Sequence, residues 1–129
     1  MDQPRREPAI RVLMMPRDTN AHGTIFGGVI LSHIDQAGAV AAHRHGCRRV
    51  VTVAMEKVVF HAPVRVGDLV SFYTEVERTG RTSVTIRVEV EAERRDGQAV
   101  KVTGADVTYV NIGADGNPET IRAPSSSFP

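Results

Sequence analysis

The segment from Gly27 to about His45 constrains this chain more than any other. It has no proline and is long enough for about five helical turns. Between Gly28 and Ala42 its only polar side chains are Ser32, His33, Asp35 and Gln36. A helix on a protein surface normally carries a charged outer face, and this one has none, so it is expected to be buried nearly all round. Such a helix needs a wrapper, and the remainder of the chain reads as strands.

Ile10 to Met15 is a short apolar run stopped by Pro16, a first strand, and Arg17 to Thr24 is a loop. After Gly46 the period becomes alternating and β-branched, through Val50-Val51-Thr52-Val53 and Val58-Val59-Phe60. Leu69 to Glu77 puts Val70, Phe72, Thr74 and Val76 on one face. Val84, Ile86, Val88, Val90 and Ala92 alternate with polar residues along a half-buried strand. Asp96-Gly97 is a hairpin turn, and Val100 to Val110 is the returning strand. The reading is α+β: one long central helix against a curved, mostly antiparallel sheet of about five strands. The last strand and the exposed sheet face are expected to pair with a second copy, since a lone curled sheet leaves a free edge.

The 129 residues fit one domain, 1–129, with a core of about 10–112; the first nine residues and 113–129 read as irregular. Sixteen basic against fifteen acidic residues, no Trp and only two Tyr argue against a nucleic-acid protein. No stretch approaches the roughly eighteen apolar residues that would cross a bilayer, and the start lacks the apolar core of a signal peptide. A cytoplasmic location is expected, in keeping with Cys47 as the only cysteine. His43, His45 and Cys47 have no further ligand at metal-site spacing, so no metal is expected, and helix-end imidazoles more often complement the dipole.

Asp35 is the most informative candidate for chemistry. Leu31, Asp35, Gly38 and Ala42 share one helical stripe, so the carboxylate projects from an apolar, small-residue surface. An unpaired charge there is costly, and desolvation would raise its pKa toward that of a useful general base; a structural hydrogen bond is the other reading. The Gly-rich entry Gly23-Thr24-Ile25-Phe26-Gly27-Gly28 would leave backbone N–H groups at the positive helix end for a developing oxyanion, or simply give a turn its freedom. Asn20 could donate its amide to a substrate carbonyl or a water, or satisfy its own loop. His22 is placed to shape a pocket and His61 to line a cleft.

Taken together, Pro16-Arg17-Asp18-Thr19-Asn20-Ala21-His22-Gly23-Thr24-Ile25-Phe26-Gly27-Gly28 and Ser32-His33-Ile34-Asp35 resemble the hotdog-fold acyl-CoA thioesterases of the bacterial YciA type. Val51-Thr52-Val53, Phe60-His61-Ala62-Pro63-Val64-Arg65-Val66-Gly67-Asp68 and Gly80-Arg81-Thr82-Ser83 extend the resemblance from about Val12 to Val110. It implies hydrolysis of acyl-CoA to a fatty acid and coenzyme A, the latter only as part of substrate and product, with no separate cofactor. It also implies sheets joined edge to edge in a homodimer at least, with a hexamer of three dimers as the larger assembly. Asn20 of one chain would face Asp35 of the other.

The resemblance makes Asp35 general base or nucleophile and puts the thioester carbonyl on the N–H of Gly28, with Gly27 beside it. His22, Phe26, Phe60 and His61 join the substrate site, and Arg81, Thr82 and Ser83 are the candidates for the nucleotide end, ahead of Arg48 and Arg49. A hotdog dehydratase would need a histidine where Asn20 stands. A non-catalytic acyl-CoA-binding or sensing module would need no buried carboxylate. Acyl chain length is not readable from residue types.

Overall fold

A computed structural model describes residues 6–122. The irregular reading of residues 1–5 and 123–129 lies outside the described residues. The chain runs β1 (Ile10–Leu13), a 3-10 turn at Pro16–Asp18, α1 (Gly27–Arg44), β2 (Val50–Glu56), β3 (Leu69–Thr79), β4 (Ser83–Glu93) and β5 (Ala99–Asn111). The strands form one antiparallel sheet in the order β1-β3-β4-β5-β2. As expected, one helix lies against a five-stranded curled sheet.

On the outer face of β4 only Thr85 is buried, whereas the residues read as its inward face, Val84, Ile86, Val88, Val90 and Ala92, are all buried. With Val70 and Phe72 of β3 and Val102, Val107 and Tyr109 of β5 they pack against Ile30, Ile34, Ala37 and Ala42 of α1. The small helix residues let the sheet come close. At Gly38 an added Cβ would sit 2.8 Å from Cζ of Tyr109.

Three expectations change. The last strand is not an edge: β5 lies between β4 and β2, and the free edges are β1 and β2. Strand order depends on long-range pairing, which a local pattern does not encode. Val58-Val59-Phe60 is coil, because β2 ends at Glu56 and Lys57 turns the chain at φ 59°. Nor is the helix covered all round within one chain, where Ser32, Gln36 and His43 are exposed and Leu31, His33 and Asp35 half-buried.

Two charged clusters tie the sheet together. Asp68 is buried; it accepts the Arg65 N–H and pairs with Arg94, whose guanidinium also donates to the Pro63 carbonyl at 2.9 Å. Asp68→Ala would leave this cation without its partner inside the fold. We expect a loss of about 2 kcal/mol, less than for a fully buried pair because Arg94 can turn to solvent. Chemical denaturation measures it, and a change under about 0.5 kcal/mol would show the pair to be a surface ornament.

On the outer face Asp106 meets Arg87 at 3.1 Å and Lys57 at 3.2 Å. Burial works against this carboxylate, but hydrogen bonds and charge from Arg87 and Lys57 outweigh it and hold its pKa below the ordinary value. A depressed folded pKa gives stability that is fully present above the unfolded value, about 3.9, and lost as pH falls through the folded one. Melting temperature should therefore drop less steeply for Asp106→Asn than for wild type between about pH 4 and pH 2. Equal slopes would exclude the coupling.

Candidate active site

Local hydrogen bonds build the approach to α1. Asn20 donates its backbone N–H to the Thr24 carbonyl at 2.7 Å. Its side-chain Oδ1 accepts the N–H groups of His22 (2.8 Å) and Thr24 (3.2 Å), and its Nδ2 donates to Thr24 Oγ1 at 2.9 Å. Within one chain Asn20 thus satisfies its own loop, an asparagine's usual work in a turn. One amide hydrogen remains for another partner. Gly23 supplies the positive φ of 85° that the turn requires, and His22 stands exposed beside it.

The loop delivers the chain to a helix end with no side-chain cap at Phe26. Among the described residues the N–H groups of Gly27 and Gly28 find no acceptor. They are the first unpaired donors of the helix, at its positive end. An added Cβ on Gly28 would meet nothing within 4 Å, while one on Gly27 would sit 3.6 Å from Cζ of Phe60.

The coil after β2 is fixed by the His61 N–H to the Val102 carbonyl and by Thr103 Oγ1 to the Val59 carbonyl, both 2.7 Å. Ile25, Gly27, Ile30, Phe60, His61 and Ala62 line a groove of about 300 Å³ here, continued by Pro63 and Val64. Phe60, which lines the groove, is 44% exposed, and Phe26, next to Gly27 in the chain, is 53% exposed.

Asp35 lies eight residues beyond Gly27, about 12 Å along the helix, and faces β2 rather than this groove. Its Oδ1 accepts the Thr52 hydroxyl at 2.6 Å, and its main-chain carbonyl accepts the Tyr109 hydroxyl at 2.6 Å. Thr52 and Tyr109 are direct partners across the β2–β5 ladder. Neither was singled out from the sequence. The available signal for Thr52 was one hydroxyl between Val51 and Val53 on a strand that proves to be an edge.

The structure gathers Gly27, Phe60 and His61 at one groove and sets Asp35 apart. Arg81 and Thr82 of the β3–β4 turn and Ser83, the first residue of β4, lie at the other end of the sheet: Ser83 pairs with Val110, eight residues and roughly 26 Å along β5 from Val102. The basic residues next to the groove are instead Arg65, Arg94 and Arg95, which line a larger depression of about 580 Å³ beyond it. His43, His45 and Cys47 do not converge: His45 bonds Thr79 Oγ1, Cys47 is buried, and burial raises its thiol pKa. No group of three metal-ligating side chains occurs among the described residues.

Residues 22–99, from the Asn20 loop to the β4–β5 turn, match the thioesterase superfamily. The chain belongs to that superfamily. The superfamily member is 42% identical over 122 residues to the acyl-CoA thioester hydrolase YciA of Salmonella typhimurium, covering 92% of both chains. It superposes on a hexameric hotdog fold thioesterase of Campylobacter jejuni with a TM-score of 0.85 and 48% identity over 90% of each chain. A hexameric broad specificity acyl-coenzyme A thioesterase gives 0.85 and 39%, over 98% of this chain and 86% of that one. The helix and its curled sheet are therefore the hotdog fold. This thioesterase superfamily member has no helix, among the described residues, long and apolar enough to cross a membrane.

Proposed function

We propose that this thioesterase hydrolyses acyl-CoA to a carboxylic acid and coenzyme A at a site shared by two copies of the chain. The observation that carries the reading is the pairing on one helix of open N–H groups at Gly27 and Gly28 with a carboxylate at Asp35 held by Thr52. Within one chain these lie apart along the helix, and the described residues lining the groove beside Gly27 include no carboxylate. A second copy would supply the missing half. The free edge β2 favours that partner, since Val51 and Val53 are exposed on it and an open apolar edge invites another strand. Relatives that assemble as hexamers agree with a homo-oligomer.

In the proposed reaction the thioester carbonyl oxygen rests on the Gly28 N–H, with Gly27 beside it, where the helix dipole stabilises the developing negative charge. Phe26, Phe60, His61 and His22 shape the site around the acyl-pantetheine arm. Asp35, held at Oδ1 by Thr52, takes the proton of a water that attacks the carbonyl carbon. Asn20 of the facing chain uses its remaining amide hydrogen to hold the water or the carbonyl. The tetrahedral intermediate collapses by breaking the C–S bond, and the thiolate leaves without needing a general acid. Attack by Asp35 itself, through a mixed anhydride, uses the same residues. Arg81, Thr82 and Ser83 of the facing chain would meet the nucleotide end. Coenzyme A enters and leaves as part of substrate and product, so the scheme uses no resident cofactor, and the lone buried Cys47 suits the cytoplasm.

Subunit mixing tests the shared site. Asp35→Ala and Asn20→Ala chains, each nearly inactive alone, are unfolded together in equal amounts and refolded. Half of the dimers then carry one intact site, so about a quarter of wild-type activity should return. No recovery would place both residues in one chain's site. A wild-type protein that binds acyl-CoA but releases no thiol would be a binding module, and the reading would fail.

A further inference from the structure

The Tyr109 hydroxyl is entirely buried, and it donates to a carbonyl that the fold does not require it to serve. Asp35 is mid-helix, so its carbonyl already has the helical bond from four residues on. The helix makes room for the phenol with Gly38, where any Cβ would collide with the ring, although glycine weakens a helix interior. A phenylalanine at 109 would fill the core without a polar group to satisfy. Two features unfavourable to stability thus converge on one bond to the backbone of Asp35.

The ladder shows what that bond achieves. Tyr109 sits directly across from Thr52, so one pair of neighbouring residues grips Asp35 twice, at its main-chain oxygen and at its carboxylate. Immediately after Thr52 the β2–β5 register slips, between Thr52 and Ala54. Such a bulge re-aims a side chain on an edge strand. Thr52 can reach Oδ1 only if the helix stands at the right height and rotation above the sheet, and the Tyr109 bond ties the helix to the same ladder at Asp35 itself.

We infer that Tyr109 is a positioning residue for thioester hydrolysis, locking α1 on the β2–β5 ladder so that Thr52 holds the Asp35 carboxylate in its reactive orientation. The inference rests on the reading of Asp35 as the base. Burial first, then the nearby Asp35 charge and the hydrogen bond, push the Tyr109 pKa far above its ordinary value, so the phenol stays a donor throughout the working range.

Tyr109→Phe keeps the ring and removes only the hydroxyl. Its kcat should fall about tenfold with KM within about twofold of wild type, because the substrate still binds and only the alignment of the base is lost. Combined with Thr52→Val the loss should be less than multiplicative, since both variants loosen the same carboxylate. Thr85→Val removes another buried hydroxyl, bonded to Thr108 on the outer face, and should lower the melting temperature with kcat intact. All rates are taken where melts show each variant folded. If Asp35→Asn is inactive but Tyr109→Phe keeps wild-type kcat, or multiplies fully with Thr52→Val, the positioning role is overturned while the base reading stands. If Asp35→Asn keeps the wild-type rate, the base reading falls and this inference falls with it.

Discussion

Replacing Asp35 with alanine should lower kcat for acyl-CoA hydrolysis by about 10² to 10⁴, the range seen when a general base is lost, with little change in affinity for the product coenzyme A. The carboxylate reaches none of the groove residues within its own chain, so binding contacts at Gly27, Phe60 and His61 should survive the truncation. Thr52 would lose its acceptor, a loss of about 1 kcal/mol of stability that leaves the groove residues untouched. Rate and binding should therefore separate. Thiol release followed with a trapping reagent, together with calorimetric titration of coenzyme A, reads both. A fall of less than about tenfold would leave Asp35 a structural hydrogen-bonding group.

Gly38→Ala should cost about 3 kcal/mol of folding stability, although alanine is the better helix former. Alanine in place of glycine would itself contribute about 1 kcal/mol toward the helix. Against that, its Cβ would sit 2.8 Å from Cζ of Tyr109, with the phenolic oxygen nearer still, and Tyr109 is fully buried. Overpacking of this kind costs up to about 3 kcal/mol, and losing the Tyr109 bond to Asp35 adds about 1 kcal/mol. Denaturant unfolding of the two chains gives the difference. A Gly38→Ala protein as stable as wild type would mean that the helix shifts outward freely, and Tyr109 could then not fix its height. The effect should shrink in Gly38→Ala combined with Tyr109→Phe, because the nearest colliding atom is then absent.

What the sequence disclosed divides by distance along the chain. The strand alternation from Val84 to Ala92, the hairpin at Asp96-Gly97 and the proline-free helix are local patterns, and each appears where expected. The hydrogen bonds of Asn20 are equally local, within four residues, and a loop role for it was one of the two open readings. Strand order was not legible, because β2 joins β5 only after two other strands have intervened. Thr52 and Tyr109 escaped notice for the same reason: a threonine and a tyrosine in strands look like ordinary β formers, and their partner Asp35 is 17 and 74 residues away. The motif Arg81-Thr82-Ser83 was legible as a motif, but its distance from the groove follows from the pairing of Ser83 with Val110.

The place of β5 between β4 and β2 also governs how the molecule matures. β2 is made early, yet its only partner within the sheet is the last strand, and Thr52 must wait for Tyr109 to be synthesised before either can grip the helix. β3 and β4 are adjacent in sequence and can pair as a hairpin before β5 exists, whereas Val51 and Val53 belong to a strand whose neighbour in the sheet is made last. Closing so long a loop is slow compared with forming a hairpin. The double grip on Asp35 is thus completed only when the last strand pairs with β2.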